Sequence, residues 1–349
     1  MIVGWRCPAC RAALEDRAAG LACAGCGASF AAAAGVPRFT RLGYRFGVAE
    51  LDRAEATDEP LIEESLSAEM RRWLTHPGRA DAALLAIENP STAVVLDAGC
   101  GWGGLSFPLA RWVRELHAVD PTVGAADAVA ARAARDGVSN LVAANADLFA
   151  LPFADAVFDA VVVNGVLEWV PVSRTDVSPR EAQRLALVEA ARTLKPGGRL
   201  YLAMENRFAL RYLAGARDEH TGLRWLTPLP RALADRYHRW RKGGAPYRCF
   251  THGVGGLRSL VEDAGLELRS VWGPLRDYRY FRFVVPIAPR PELTLLAARG
   301  MPFPSWEARV FVALARAVAA LGSPRWLVPF LFPCVALIAQ RPAAGEHRR

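Results

Sequence analysis

Lysine is nearly missing from this chain: Lys195 and Lys242 are the only two in 349 residues. Its positive charge is therefore arginine, set in an alanine-rich background. The formal net charge of +8 and pI near 9.4 reflect coding bias as much as selection for phosphate binding. No Lys/Arg cluster interleaved with aromatics covers a long stretch, although 231–242 is locally basic, so nucleic acid is the less favoured partner. An uninterrupted apolar run of membrane-spanning length is missing too. The apolar stretch 307–340 is broken by Arg325 and three prolines, which excludes a spanning helix and leaves a membrane-surface contact through Trp306, Trp326 and Phe330 as the lesser reading. The opening Met1–Cys7 lacks the apolar core and cleavage site of a secretion signal, so a cytoplasmic protein is expected.

Four of the seven cysteines are arranged in a pattern. Cys7-Pro8-Ala9-Cys10 and Cys23-Ala24-Gly25-Cys26 are two C-x-x-C knuckles separated by twelve residues. Each knuckle turns two thiols toward one point, and two such turns make the tetrahedral four-sulfur site that zinc prefers. With every position filled by protein, that zinc is structural. Two disulfides are the alternative, disfavoured in a reducing compartment.

The most informative stretch is Val94-Val95-Leu96-Asp97-Ala98-Gly99-Cys100-Gly101-Trp102-Gly103-Gly104. It reads as a buried strand ending in a glycine turn that opens a helix, a turn built to let a ligand approach the backbone closely. Gly99, Gly101 and Gly104 have the spacing of a dinucleotide loop. Asp97, however, stands directly before the first glycine, where a carboxylate repels a diphosphate and accepts hydrogen bonds from an amine. Two further strand-like runs end in acids: Leu116–Val119 before Asp120, and Leu141–Ala144 before Asp147 and Leu148. Three acids at successive strand ends suit a cofactor bearing an amine, a ribose and an adenine.

On these residues the chain resembles the class I S-adenosylmethionine-dependent methyltransferases, of the kind called methyltransferase type 11. The glycine loop is similar to their first motif, Asp120 to the ribose-binding acid and Asp147 to the residue near the adenine. Ala150–Phe153 with Phe158–Val162 is similar to the segment leading into their fourth strand, and Leu194–Leu200 resembles the turn before the fifth. The resemblance implies an α/β fold, a Rossmann-like seven-stranded sheet, with Asp97, Gly99, Gly101, Gly103, Asp120, Asp147, Leu148 and Asn164 around S-adenosyl-L-methionine. Cys7 to Phe39 also resembles the small Trm112-like zinc ribbons. The organisation expected is a ribbon over 1–40, a helical linker or cleft cover over 41–92 and the methyltransferase domain over 93–349.

Apolar residues at helical spacing, Leu61, Ile62, Leu66, Met70, Trp73 and Leu74, predict a helix before His76-Pro77-Gly78, and a second is expected over 79–88. Helices are expected over 180–193, 255–264 and 309–321, and strands over 199–203, 266–272 and 335–339, the last one antiparallel. Residues 205–252 interrupt this rhythm as an insertion over the carboxyl edge of the sheet, where substrate choice should lie. If the acceptor is a hydroxyl, His220 and His252 are the candidate bases, with Asp218 or Glu219 as an orienting carboxylate or alternate base. Asn164-Gly165-Val166-Leu167 lacks the prolines of the Asn/Asp-Pro-Pro-aromatic signature of amino-methylating DNA enzymes. Glu168-Trp169 resembles methyltransferases of small molecules and sugars, and the segments Glu205–Arg207 and Asp218–Gly222 resemble those acting on glycoconjugates. O-methylation of a small metabolite, sugar or lipid-linked glycan is the expected activity. An RNA methyltransferase anchored by its ribbon, and a non-catalytic adaptor, are the alternatives.

Overall fold

The computed structural model describes residues 3–40, 74–275, 278–279, 283–288, 306–324 and 326–343. Of the helix expected from Leu61 to just before His76, residues 61–73 lie outside them, and Leu74 and Thr75 are helical. Within them are two sheets. The smaller is an antiparallel meander of β1 (Leu14–Arg17), β2 (Gly20–Cys23), β3 (Ser29–Ala33) and β4 (Val36–Pro37).

The larger sheet holds β5 (Val94–Ala98), β6 (Glu115–Asp120), β7 (Leu141–Asn145), β8 (Phe158–Asn164), β9 (Leu194–Glu205), β10 (Glu267–Leu275), β11 (Phe283–Ala288) and β12 (Cys334–Gln340). Their spatial order is β11-β10-β12-β9-β8-β5-β6-β7. Strands β5 to β9 pair in parallel, whereas β12 runs antiparallel between β9 and β10. The expected seven strands are thus eight. The additional strand, β11, is an antiparallel edge partner of β10. Its Pro286 lacks an N–H, which an edge position tolerates.

Successive side chains of a strand point to opposite faces, and both faces here are buried. Leu96, Val161, Val163, Leu200, Leu202, Met204, Val335 and Leu337 enter one core cluster. Their neighbours Val95, Val162, Tyr201, Ala203, Ala336 and Ile338 enter the other. The helices named below are α1 (Ser106–Ala110), α2 (Val123–Arg135), α3 (Pro179–Thr193), α4 (Arg231–Arg241), α5 (Val254–Asp263) and α6 (Trp306–Ala320). Ser178 caps α3 by accepting from the Glu181 N–H, with Pro179 in the first turn, a combination that satisfies a free donor and presets the backbone. The helix expected over 79–88 is shorter than read: a 3₁₀ turn, Pro77–Ala80, runs into four α-helical residues, Asp81–Leu84.

The small sheet is docked on the large one. The Trp5 ring packs against His117 and Phe153. Arg6 N–H donates to Pro152 O, and Phe39 N–H donates to Asn145 O at the end of β7. Arg11, at φ +65°, sends its guanidinium to Leu151 O and Glu189, and Arg38 pairs with Asp127.

The segment from Asn206 to His252 contains α4 and a small core of its own: Leu223, Leu226, Ala234 and Tyr247. Its two ends meet in a bridge between Asn206 and His252. The buried Gln183 of α3 ties it down further, donating to Leu167 O and Phe250 O. Among the described residues no helix is long and apolar enough to cross a membrane.

Candidate functional site

A pocket opens at the carboxyl ends of β5, β6, β7 and β8, where a parallel sheet exposes its strand-to-helix loops. Asp97, Gly99, Gly101, Asp120, Asp147, Leu148 and Asn164 all line it, joined by Arg79, Trp102, Phe149, Trp169 and others. Seven of the eight residues expected around the cofactor therefore share one wall. Gly103 does not reach it. At φ +78° it turns the chain beneath the loop, where a Cβ would come within 2.7 Å of the Phe107 ring.

The loop is fixed from both sides. Gly99 and Cys100 N–H groups donate back to Val119 O of β6. Gly99 has φ +88°, and a Cβ there would meet Val166 at 2.4 Å; only glycine combines that backbone with that closeness. Asp120 accepts from the Gly101 N–H through Oδ2 and from the Thr122 N–H through Oδ1, both at 2.9 Å. Asp97 accepts from the Ser106 hydroxyl of α1 at 2.6 Å. Asp147 caps its own turn by accepting from the Phe149 and Ala150 N–H groups.

Burial governs the two innermost acids. It raises Asp97 to about 6 despite the Ser106 hydroxyl and the positive charge of Arg79, with Asp120 adding to the rise. It raises Asp120 as well, against the opposing N–H groups of Thr122 and Gly101. Both amide atoms of Asn164 and the indole nitrogen of Trp102 are buried without a hydrogen-bond partner. Orphaned polar atoms facing a glycine-lined cavity fit a polar ligand with a flat ring system.

The two candidate histidines lie apart. The His220 side chain is buried, its ring edge-on to Trp169 with centroids 4.7 Å apart, so it stands one side chain behind the pocket wall. Its Nε2 faces Glu168 and Glu205 at 3.9 and 3.7 Å, and its Nδ1 faces Asp218 at 3.8 Å. Burial disfavours its charge, but Asp218, Glu168 and Glu205 outweigh this and hold the imidazole well above its ordinary pKa. His252 does not line the pocket. Its Nε2 lies 2.8 Å from Gln183 Oε1, and burial together with nearby arginines pushes it down to about 3. Glu219 accepts from Tyr212 and pairs with Arg211.

Glu168 and Glu205 were not singled out as site residues from sequence. The signal available was an acid in each of two otherwise apolar surroundings, Val166-Leu167-Glu168-Trp169 and Ala203-Met204-Glu205, at the ends of neighbouring strands. Tyr278 closes the group, donating to Glu205 Oε1 at 3.0 Å while its ring fills the space beside Gly165.

At the amino terminus the Cys7, Cys10, Cys23 and Cys26 sulfurs all lie within 4.8 Å of one another, and none is in a disulfide. The Cys7–Cys26 and Cys10–Cys23 sulfur distances are 3.6 and 3.3 Å. Four thiols converging on one point can hold a tetrahedral ion.

Residues 96–202 match the family model described as a methyltransferase domain. With the acid-ended parallel strands and the glycine loop, this defines the class: the chain is an S-adenosylmethionine-dependent methyltransferase. None of the curated proteins searched matches it. Similar solved structures include the [4+2]-cyclase SpnF, at TM-score 0.48 and 18% identity over 84% of this chain and 93% of that one. Another is the Haloferax volcanii complex of the Trm112 methyltransferase activator with a putative methyltransferase, at TM-score 0.46 and 18% identity over 86% and 99%. A geranyl diphosphate methyltransferase in complex with SAM has TM-score 0.45 and 16% identity over 76% and 85%.

Proposed function

We propose that the enzyme methylates a hydroxyl of a small metabolite, sugar or lipid-linked glycan. The observation that carries this reading is the pocket wall away from the glycine loop, which Val166, Trp169, Val170 and Ser173 line, with His220 behind Trp169. Such a site suits a compact acceptor better than a polynucleotide. The arginines of the small sheet support the same choice. Arg11 is engaged with Leu151 O and Glu189 and Arg17 with Glu15, which removes basic charge from an RNA-anchoring face. Trp326 is exposed, which suits a membrane-surface contact if the acceptor is lipid-linked.

In this reading Asp97 receives the amine of S-adenosylmethionine, Asp120 the ribose hydroxyls and Asp147 with Leu148 the adenine, while the Asn164 amide and the backbone of Gly99 and Gly101 complete the cradle. When bound, the cofactor supplies an electrophilic methyl on a sulfonium. The protein's task is to hold the acceptor oxygen in line with it and exclude water, and proximity and orientation supply much of the rate. His220 lies behind Trp169 of the pocket wall, whereas His252 acts as a brace between α3 and the base of the insertion. Cys7, Cys10, Cys23 and Cys26 hold a structural zinc that organises residues 1–40, and the site of action is cytoplasmic. Incubation with radiolabelled cofactor, followed by separation of extracts into RNA, lipid-glycan and small-metabolite fractions, tests the acceptor class. Label confined to RNA overturns it.

A further inference from the structure

Glu168 follows β8, Glu205 ends β9 and His220 comes from the insertion, yet one donor atom of each lies within 4.8 Å of the others. His220 Nε2 stands 3.9 Å from Glu168 and 3.7 Å from Glu205, too far for hydrogen bonds. Glu168 is fully buried with neither carboxylate oxygen partnered, and Glu205 Oε2 is likewise buried without a hydrogen bond. Arg211 is committed to Glu219. His220 and Arg279 lend Glu205 favourable charge, and Glu168, with both oxygens free of hydrogen bonds, has the His220 imidazole 3.9 Å away. Two carboxylates converging in a dry interior need positive charge among them, which a protonated His220 supplies without a hydrogen bond to either; a divalent ion that displaces its proton would ligate all three groups.

We propose that Glu168, Glu205 and His220 bind a divalent transition-metal cation. The histidine has a fixed carboxylate behind it. Asp218, on the Nδ1 side of the ring, is immobilised by the N–H groups of His220 and Thr221 and by the hydroxyls of Thr221 and Thr227. Its Oδ2 lies 3.8 Å from Nδ1, longer than a hydrogen bond but on the side from which a carboxylate orients a metal-bound histidine. Tyr278 fixes Glu205 in the same way. Two carboxylates and one imidazole form a mixed set suited to Mn²⁺, Fe²⁺ or Zn²⁺, unlike the four thiols at residues 7–26, which select zinc. Three protein ligands leave coordination positions open. The ion would also tie the insertion to the ends of two strands, one side chain behind the cofactor pocket.

The site does not depend on which acceptor is used, and the test separates the two questions. The zinc-loaded full-length protein is titrated with Mn²⁺ and the free ion followed by electron paramagnetic resonance, with S-adenosylhomocysteine affinity measured alongside by calorimetry. Wild type is expected to take up about one Mn²⁺ per chain, or to exchange it for a second metal already present. Glu168→Gln and His220→Gln should weaken Mn²⁺ by about tenfold or more while retaining S-adenosylhomocysteine binding. Absence of uptake or exchange in wild type, or equal Mn²⁺ affinity in the variants, overturns the site. Should the variants fail to fold, pulsed resonance on Mn²⁺-loaded wild type decides: coupling to a histidine nitrogen supports the site and its absence overturns it.

Discussion

Ser106 donates its hydroxyl to Asp97 Oδ2 at 2.6 Å, joining the first turn of α1 to the strand that precedes the glycine loop. The bond keeps a buried carboxylate aimed along the pocket wall, and its strength bears on cofactor binding and on pH.

With Asp97 at about 6, against roughly 3.9 in an unfolded chain, folding favours its protonated form. The stability cost is absent below about pH 4 and grows as pH rises through about 6. Cofactor binding runs the other way, because the amine needs the carboxylate. Calorimetry should show affinity level above about pH 7 and falling below about 6, and Asp97→Asn should lose binding while flattening the stability profile. Affinity unchanged in Asp97→Asn would sink the assignment.

Gly99→Ala places a Cβ 2.4 Å from Val166 at φ +88°. Strain and overpacking together should cost about 2–4 kcal/mol. Chemical denaturation reads the cost, and cofactor binding should be lost in parallel.

Purified protein should carry about one zinc per chain by elemental analysis, as expected for a four-thiol site. Cys10→Ser should lose it and lower the melting temperature. A folded, metal-free preparation with unchanged melting contradicts the ribbon reading.

Trp5→Ala removes the ring that packs on His117 and Phe153, and should destabilise by about 3 kcal/mol. Arg11→Ala should cost less, roughly 1 kcal/mol, because its guanidinium is partly exposed and screened. Equal melting shifts for the two would show that docking of the small sheet is not led by aromatic packing.

His252 and Gln183 form a brace whose imidazole stays neutral. Its folded pKa, about 3, lies below the unfolded value of about 6.5, so its contribution is present above pH 6.5 and is lost progressively as pH falls toward 3. His252→Gln should flatten that part of the acid-denaturation curve. An unaltered curve excludes the brace.

Periodicity and strand-ending acids made much of this legible. The α3, α5 and α6 helices and strand β12 fall within a few residues of where their apolar spacing predicts them, because each has a face wholly committed to the core. Strand β11 escaped notice because Phe283–Ala288 is short and contains Pro286, a pattern that local propensity reads as loop. Glu168, Glu205 and His220 are distant in sequence and meet only through sheet order and the insertion, so no spacing rule joins them. Gly103 lies outside the pocket lining, and spacing alone cannot tell a glycine that faces a cavity from one that turns beneath the loop.

Strand β12 lies between β9 and β10, registering Ala336 against Ala203 on one side and Trp272 on the other. Until residues 334–340 are in place, the β10–β11 hairpin has no neighbour in the sheet, and the outer edge of β9 stays unpaired. Assembly of the large sheet is therefore gated by a late-arriving central strand. During synthesis the parallel half, with its glycine loop, can form first, while an open, apolar edge waits for closure and is the place where capture by another chain would begin.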